Sequence, residues 1–321
     1  MQSHMINFNR YFMPAIIETL AQMIDKFNAA SNGALVLTTQ GFTGDFLQES
    51  FWNGVHAAQR RVDRYAAQAA AAATDLQQTK KSGVKVAGGF GPIRYEPAQM
   101  TWLEKPTAEA VEVVSRNMAE ALVADQLNTA VAALVAAISN VAGATNDVSA
   151  TLGISYAAFN NAHALFGDAS ASLVAQIMNG TAAHKLIGTN LANTQNLYQS
   201  NSVNVISILG RPIIVTDAPA LYAAGAPNKL KVLSLAAGAA TVYDSSDVLT
   251  NIQTANGQTR IETTLQADYT FGLALKGYTW DETAGGKSPT DAEIATGTNW
   301  DKVATSIKHT AGVITIGDAA K

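Results

Sequence analysis

The chain has no cysteine in 321 residues, and only 14% of its residues are charged. Without thiols, neither a disulfide nor a thiolate metal site can form. The compartment stays undecided, because a reducing cytosol merely permits cysteine. The shortage of charge says more: soluble domains ordinarily carry about 25%. With hydrophobic residues at 48%, the chain has little polar surface to offer water. Either a large Ala-rich core absorbs the apolar groups, or other chains cover much of the outside, since obligate interfaces are the apolar ones. Positive charge is not in surplus either. The net charge is −4 and the pI about 5.7. A dedicated nucleic-acid binder clusters Lys and Arg on one face, so this balance argues against tight, specific DNA binding and leaves room for weak contact. Residues 1–20 contain no apolar core followed by a small-residue cleavage site, so no secretory signal is expected. The most apolar run, residues 121–142, carries Asp125, Gln126, Asn128 and Asn140. A membrane span tolerates few such groups, and the run reads as a helix in water.

The length suits one large domain or two ordinary ones. Ile16, Ile17, Leu20, Met23, Ile24 and Phe27 predict a helix over 11–30, stopped by Ser31, Asn32 and Gly33. Residues 33–46 read as a short extended stretch. Alanine density predicts a helix over 54–80. Residues 82–105 change character, with Gly and Pro among interspersed charges. They read as two extended arms around a tip at Gly88 and Gly89, a hairpin that needs another surface to lie on. Residues 107–140 carry apolar stripes (Val111, Val114, Met118, Leu122, then Leu127, Val131, Leu134, Ile138) and predict a helix ~50 Å long. A polar linker follows over 143–153, then two helices over 155–187 split at Gly167 and Asp168. Strands are expected at 203–209, 211–216, 229–235, 239–243 and 260–276, and an exposed polar loop at 279–301.

Chemistry is hard to find. Residues 282–290 hold Gly286, Lys287 and Ser288, but a phosphate-binding loop needs a Gly where Asp281 stands, and Pro289 blocks the helix that should follow. Gly88, Gly89 and Gly91 lead into Pro92 rather than a helix, which rules out a dinucleotide fingerprint. His163, Asp168 and His184 match no metal-ligand spacing, and no serine sits in a nucleophile elbow. Arg60, Arg61 and Arg64, near Lys80 and Lys81, form the basic cluster, with the three arginines on one face of the expected helix. Two readings stay open for it: a solvated face paired with acidic neighbours, or a patch facing phosphate or another subunit. No catalytic residue, metal or cofactor is assigned.

Two segments remain. In residues 160–187, "NNAHALFGDASASLVAQIMNGTAAHKLI", Gly167 and Asp168 open a helix that runs to Met178, Asn179 and Gly180. In residues 208–219, "ILGRPIIVTDAP", Gly210, Arg211, Pro212 and a hydrophobic run end on Thr216 and Asp217. Both resemble segments of tailed-bacteriophage major capsid proteins of the Hong Kong 97 type. Arg260, Glu262, Phe271 and Gly272 are similar to that family's late strand pair, and the order of elements agrees over roughly residues 40–317. Asn179 departs from the family, where a His often follows the Met. Asp168 is expected to cap a helix by accepting backbone N–H bonds, and Asp217 to close a turn in the same way.

The resemblance implies an α+β capsid fold with an N-terminal arm (1–53), a helix and extended loop (54–105), a peripheral domain with the spine helix (106–142), an axial domain (143–245) and returning strands (246–321). It implies a subunit that forms hexamers and pentamers and closes an icosahedral shell around double-stranded DNA, in the virion, after assembly in the host bacterial cytoplasm. The extended loop would lie across a neighbouring copy, with Lys85, Phe90, Arg94, Tyr95 and Glu96 as subunit contacts. Scaffolding, portal and decoration proteins are expected partners, with weak non-specific contact to packaged DNA and none to membrane. The rival readings are an encapsulin-like nanocompartment shell, a soluble α/β enzyme, and a filament or surface-layer protein.

Overall fold

The computed structural model describes residues 31–38, 44–52, 58–68, 78–95, 107–192, 211–244, 248–256 and 261–321, with single positions at 28, 70, 73, 75, 76, 207, 208 and 259. In chain order β1 (Leu35–Thr38), β2 (Phe46–Trp52) and β3 (Gln78–Tyr95) precede the long helix α1 (Thr107–Ser139). Then come β4 (Thr145–Asp147), α2 (Tyr156–Ala164), β5 (Leu173–Met178), α3 (Gly180–Ala192), β6 (Ser207–Ile208) and β7 (Arg211–Val215). The chain continues through β8 (Tyr222–Ala223), β9 (Lys229–Ala236), β10 (Ala240–Asp244), β11 (Leu249–Ala255) and β12 (Glu262–Leu275). It ends with β13 (Tyr278–Trp280), α4 (Asp291–Ile294), β14 (Trp300–Lys302) and β15 (Gly312–Asp318).

Two large sheets and a two-stranded antiparallel pair, β13–β14, share the strands of the described residues. The first runs β1-β10-β12-β3-β2, with β11 also pairing β12. The second runs β4-β15-β9-β5-β7-β6, with β8 also on β9. The chain crosses between them more than once: β10 follows β9 into the first sheet, and β15 returns to the middle of the second. Helix α1 touches β10 and β12 of one sheet and β15 of the other. That position explains its composition. From Ala130 to Ile138 nearly every side chain is buried, whichever way it points, because packed elements surround this half of the helix. A helix buried on all sides needs no polar stripe. A smaller apolar cluster of Ile154, Phe159, Met178, Leu186, Ile213 and Val232 lies where α2 and α3 meet the second sheet.

Several sequence expectations change. Of the helix expected over 11–30, only residue 28 is described, as helical, and Asn32 and Gly33 follow at positive φ (51° and 71°), a left-handed stop. The helix expected over 54–80 is absent from the described residues: 59–68 are irregular, and 78–80 already belong to β3. Alanine favours helix only weakly per residue, and a helix without a surface to pack on is marginal in water. Gly88 and Gly89 are not a tip. They lie within the 18-residue strand β3, opposite Tyr269 and Asp268. Gly88 is there for close approach, since a Cβ at this position would stand 2.6 Å from the Tyr269 ring. The long helix matches its expected span. The two helices expected over 155–187 are instead α2, a 3-10 turn at Gly167–Ser172, strand β5 and helix α3. The polar loop at 279–301 is not simply exposed. Trp280 and Trp300 pack edge to face at 4.8 Å between centroids and are buried.

Candidate assembly surface

The real hairpin is β2–β3. Phe46 pairs with Val84 and Trp52 with Gln78. At Val84 strand β3 takes up β12, with Leu273 opposite Val84 and Thr263 opposite Tyr95. One long strand thus ties an arm to the body. At the arm's far end, every described residue from 58 to 68 is exposed. Arg60, Arg61 and Arg64 stand here in irregular backbone, so they share an exposed loop and not a helix face. The Arg64 guanidinium lies 5.9 Å from the ring centre of Tyr65, and Tyr65 is 91% exposed.

The candidate subunit contacts fall at different places on β3. Lys85 is half-buried, and its backbone N–H donates to Asp45 at 3.1 Å. Phe90 packs inward, its ring tilted against Tyr269 at 5.3 Å. Arg94 is exposed and pairs within the chain, with Glu262 at 3.3 Å. Tyr95 pairs with Thr263 across the sheet. Glu96 and Gly210 lie outside the described residues.

The two motif segments meet in the second sheet. Gly167 sits at φ +55°, a left-handed position that suits Gly. Asp168 does not stand at a helix N-cap: the segment it opens is a six-residue 3-10 turn, with Phe166 at the cap position and Asp168 in the first turn. It pairs instead with Lys308, whose hydrogen bond and charge hold the Asp168 carboxyl below its usual range. Arg211 reaches back across the fold. Its Nη1 donates to His163 Nδ1 at 2.8 Å and its Nη2 to the Ser170 carbonyl at 2.5 Å. Because Nδ1 accepts, the ring proton belongs on Nε2, which donates to Ser234 Oγ at 3.0 Å. Burial, aided by the adjacent guanidinium, pulls the His163 pKa down to about 4. Asp217 does accept a backbone N–H, but not in its own turn: the donor is Gly180, at 3.1 Å, where α3 begins. Asn179 accepts from Ala182 N–H at 2.9 Å, an N-terminal cap. The second motif segment therefore grips the first at both ends, a relation that no spacing within either segment announces.

Among the described residues no group of three or more His, Cys, Asp or Glu could hold a metal ion. A hollow lined by Leu152, Ile154, Lys185 and Gly188 has lysines as its titratable side chains, with no acid–base pair. The stretch Arg116–Ser139 has the length and composition of a membrane span, but 61% of its most apolar window is buried inside the fold.

A long helix between two sheets, with a strand arm projecting from one of them, is the architecture of a Hong Kong 97 type capsid subunit. The family model Gp13-like (major capsid protein 13-like) matches residues 4–314, and the chain belongs to this family of capsid shell proteins. The fold is similar to a chain of the cyanophage Pam1 capsid asymmetric unit, at 13% identity, TM-score 0.53, and coverage of 89% of this chain and 88% of that one. It is also similar to a chain of Microbacterium phage Oxtober96, at 12% identity, TM-score 0.52, and coverage of 90% of each. No curated protein matches.

Proposed function

We propose that copies of this major capsid protein assemble as hexamers and pentamers into a closed icosahedral shell around double-stranded phage DNA. The family match over residues 4–314 carries this reading. The arm supports it: a strand pair ending in a fully exposed segment rests on little of its own molecule, and a neighbouring copy gives it a surface. In this reading the exposed segment with Arg60, Arg61 and Arg64, together with Arg94, Tyr95 and Glu96, faces the next copy. Phe90, half-buried against the Tyr269 ring, faces its own subunit. The net charge of −4 suits weak, non-specific contact with packaged DNA. Assembly takes place in the host cytoplasm with scaffolding, portal and decoration proteins, and no catalytic step is assigned to the subunit.

Light scattering and negative-stain imaging of the purified protein test this. Closed shells tens of nanometres across, or discrete pentamers and hexamers, are the expected result. A strictly monomeric or dimeric particle at high concentration would overturn it. Shells from native hosts that carry protein cargo and no DNA would replace the phage-head reading with a nanocompartment.

A further inference from the structure

The β2–β3 arm is tied to its own subunit from one side, by the segment that runs from β13 to β14. Gln48 of β2 pairs with Ser82 of β3, and Lys80 lies two residues along, so the three share a face of the ribbon. All three converge on one atom, Glu282 Oε1: Lys80 Nζ at 2.6 Å, Ser82 Oγ at 2.6 Å and Gln48 Nε2 at 3.2 Å. Alongside, the Ser82 N–H donates to Thr279 Oγ1 at 2.8 Å, and Lys287 pairs with Asp45 at 3.4 Å. The segment that carries these groups is rigid at its root. Trp280 stacks edge to face on Trp300, donates its indole N–H to the Gly286 carbonyl at 3.0 Å, and lies so close to Gly285 that a Cβ there would stand 2.1 Å from the ring. On the opposite face of the arm Lys81 pairs with Glu49 at 3.6 Å.

We infer that Glu282 is the positioning residue of the arm: it clamps β2 and β3 to the tryptophan-anchored segment 278–302 and so sets the angle at which each subunit offers its arm to the next. An exposed Lys–Glu pair alone holds little. The clamp rests on a hydroxyl, an amide and an ammonium meeting one carboxylate oxygen from two strands, where charge-assisted bonds are the strong ones. The link to shell geometry rests on the capsid reading; the clamp itself does not.

The test uses the full chain with Glu282→Ala and Glu282→Gln. Hydrogen–deuterium exchange on unassembled subunits should quicken about tenfold in peptides covering 46–52 and 78–84 of the Ala variant, with β9 and β15 unchanged. Gln, which keeps an oxygen for Ser82 and Gln48, should recover part of the protection. Shells of the Ala variant, imaged in ice, should spread over several diameters where the parent gives one. Unchanged exchange in the arm, or exchange that quickens throughout the molecule, overturns the clamp. A loosened arm with shells of unaltered diameter overturns its role in geometry. Failure of the parent protein to form shells counts against the capsid reading alone, because the exchange measurement needs no assembly.

Discussion

The second half of α1 and the β2–β3 arm are built on opposite terms. Between Ala130 and Ile138 the helix is enclosed by strands and turns of the same chain, and Leu134, Ala137 and Ile138 have no exposure. Its conformation is fixed by the fold alone. The arm buries little, ends in a fully exposed segment, and is held by polar ties to one neighbouring segment. On the proposed reading stability resides in one region and association in the other, and mutations should separate the two.

The largest effect belongs to the enclosed region. Phe271 is fully buried in β12, opposite Asp244 of β10 and Val86 of β3. Phe271→Ala removes a ring that close-packed surroundings cannot replace, and should cost the unassembled subunit about 3–5 kcal/mol by denaturant titration. A cost below about 1 kcal/mol would mean that the body is as loosely packed as the arm.

Acid should act on the same region. His163 is 5% exposed and its pKa falls from 6.5 to about 4 on folding. Between those values the unfolded chain binds the proton and the folded chain does not, so stability is flat above about pH 6.5 and declines as pH falls towards 4. The loss amounts to about 3 kcal/mol at most. Melting curves from pH 7 to 4 should show it, and His163→Gln, which cannot titrate, should flatten that part of the profile. An unaltered slope in the variant would place the acid sensitivity elsewhere.

Gly88 sits where the two regions join. Gly88→Ala pushes a methyl into the Tyr269 ring, which Phe90 backs and whose hydroxyl donates to Asp125 at 2.7 Å. The expected cost is about 1–3 kcal/mol. Tyr269→Ala in the same chain should remove most of the added penalty, as coupled neighbours do. A tolerated Gly88→Ala would return this position to the turn that its sequence suggests.

That position also shows where sequence reading stops. The spine helix was legible because apolar spacing persists over its length, and β7, β9, β10 and β12 because hydrophobic, β-prone runs are bounded by turn residues. Strand β5 was not. Its residues, Leu173 to Met178, include Ala, Gln and Met, good helix formers, and its pairing with β7 and β9 on either side decides the matter. The described residues of the Ala-rich stretch after β2 are irregular for the reverse reason, since propensity had no packing to act with. Gly88 and Gly89 signalled a turn, but glycine also serves close approach, and only the register with Tyr269 tells which. The grip of Arg211 on His163 spans 48 residues. A lone His in one motif and an Arg in the other were visible, but their meeting depends on the strand order of the second sheet.

The smallest effect on stability should come from the end of the arm. Arg60, Arg61 and Arg64 are exposed, and side chains that bury nothing change folding free energy by no more than about 0.5 kcal/mol. Replacing all three with Ser should therefore leave the melting of the unassembled subunit where it was. Association should respond differently. In the proposed contact between copies these cations would lose water and gain a partner, so their removal should slow encounter and weaken the contact, more so at low salt than at high. The measurement is the concentration at which shells or capsomers first appear, taken at two ionic strengths. A higher threshold at low salt, with melting unchanged, separates folding from assembly within one chain. An unchanged threshold at both salts would place the contact on the strands of the arm and leave the arginines as a solvated end.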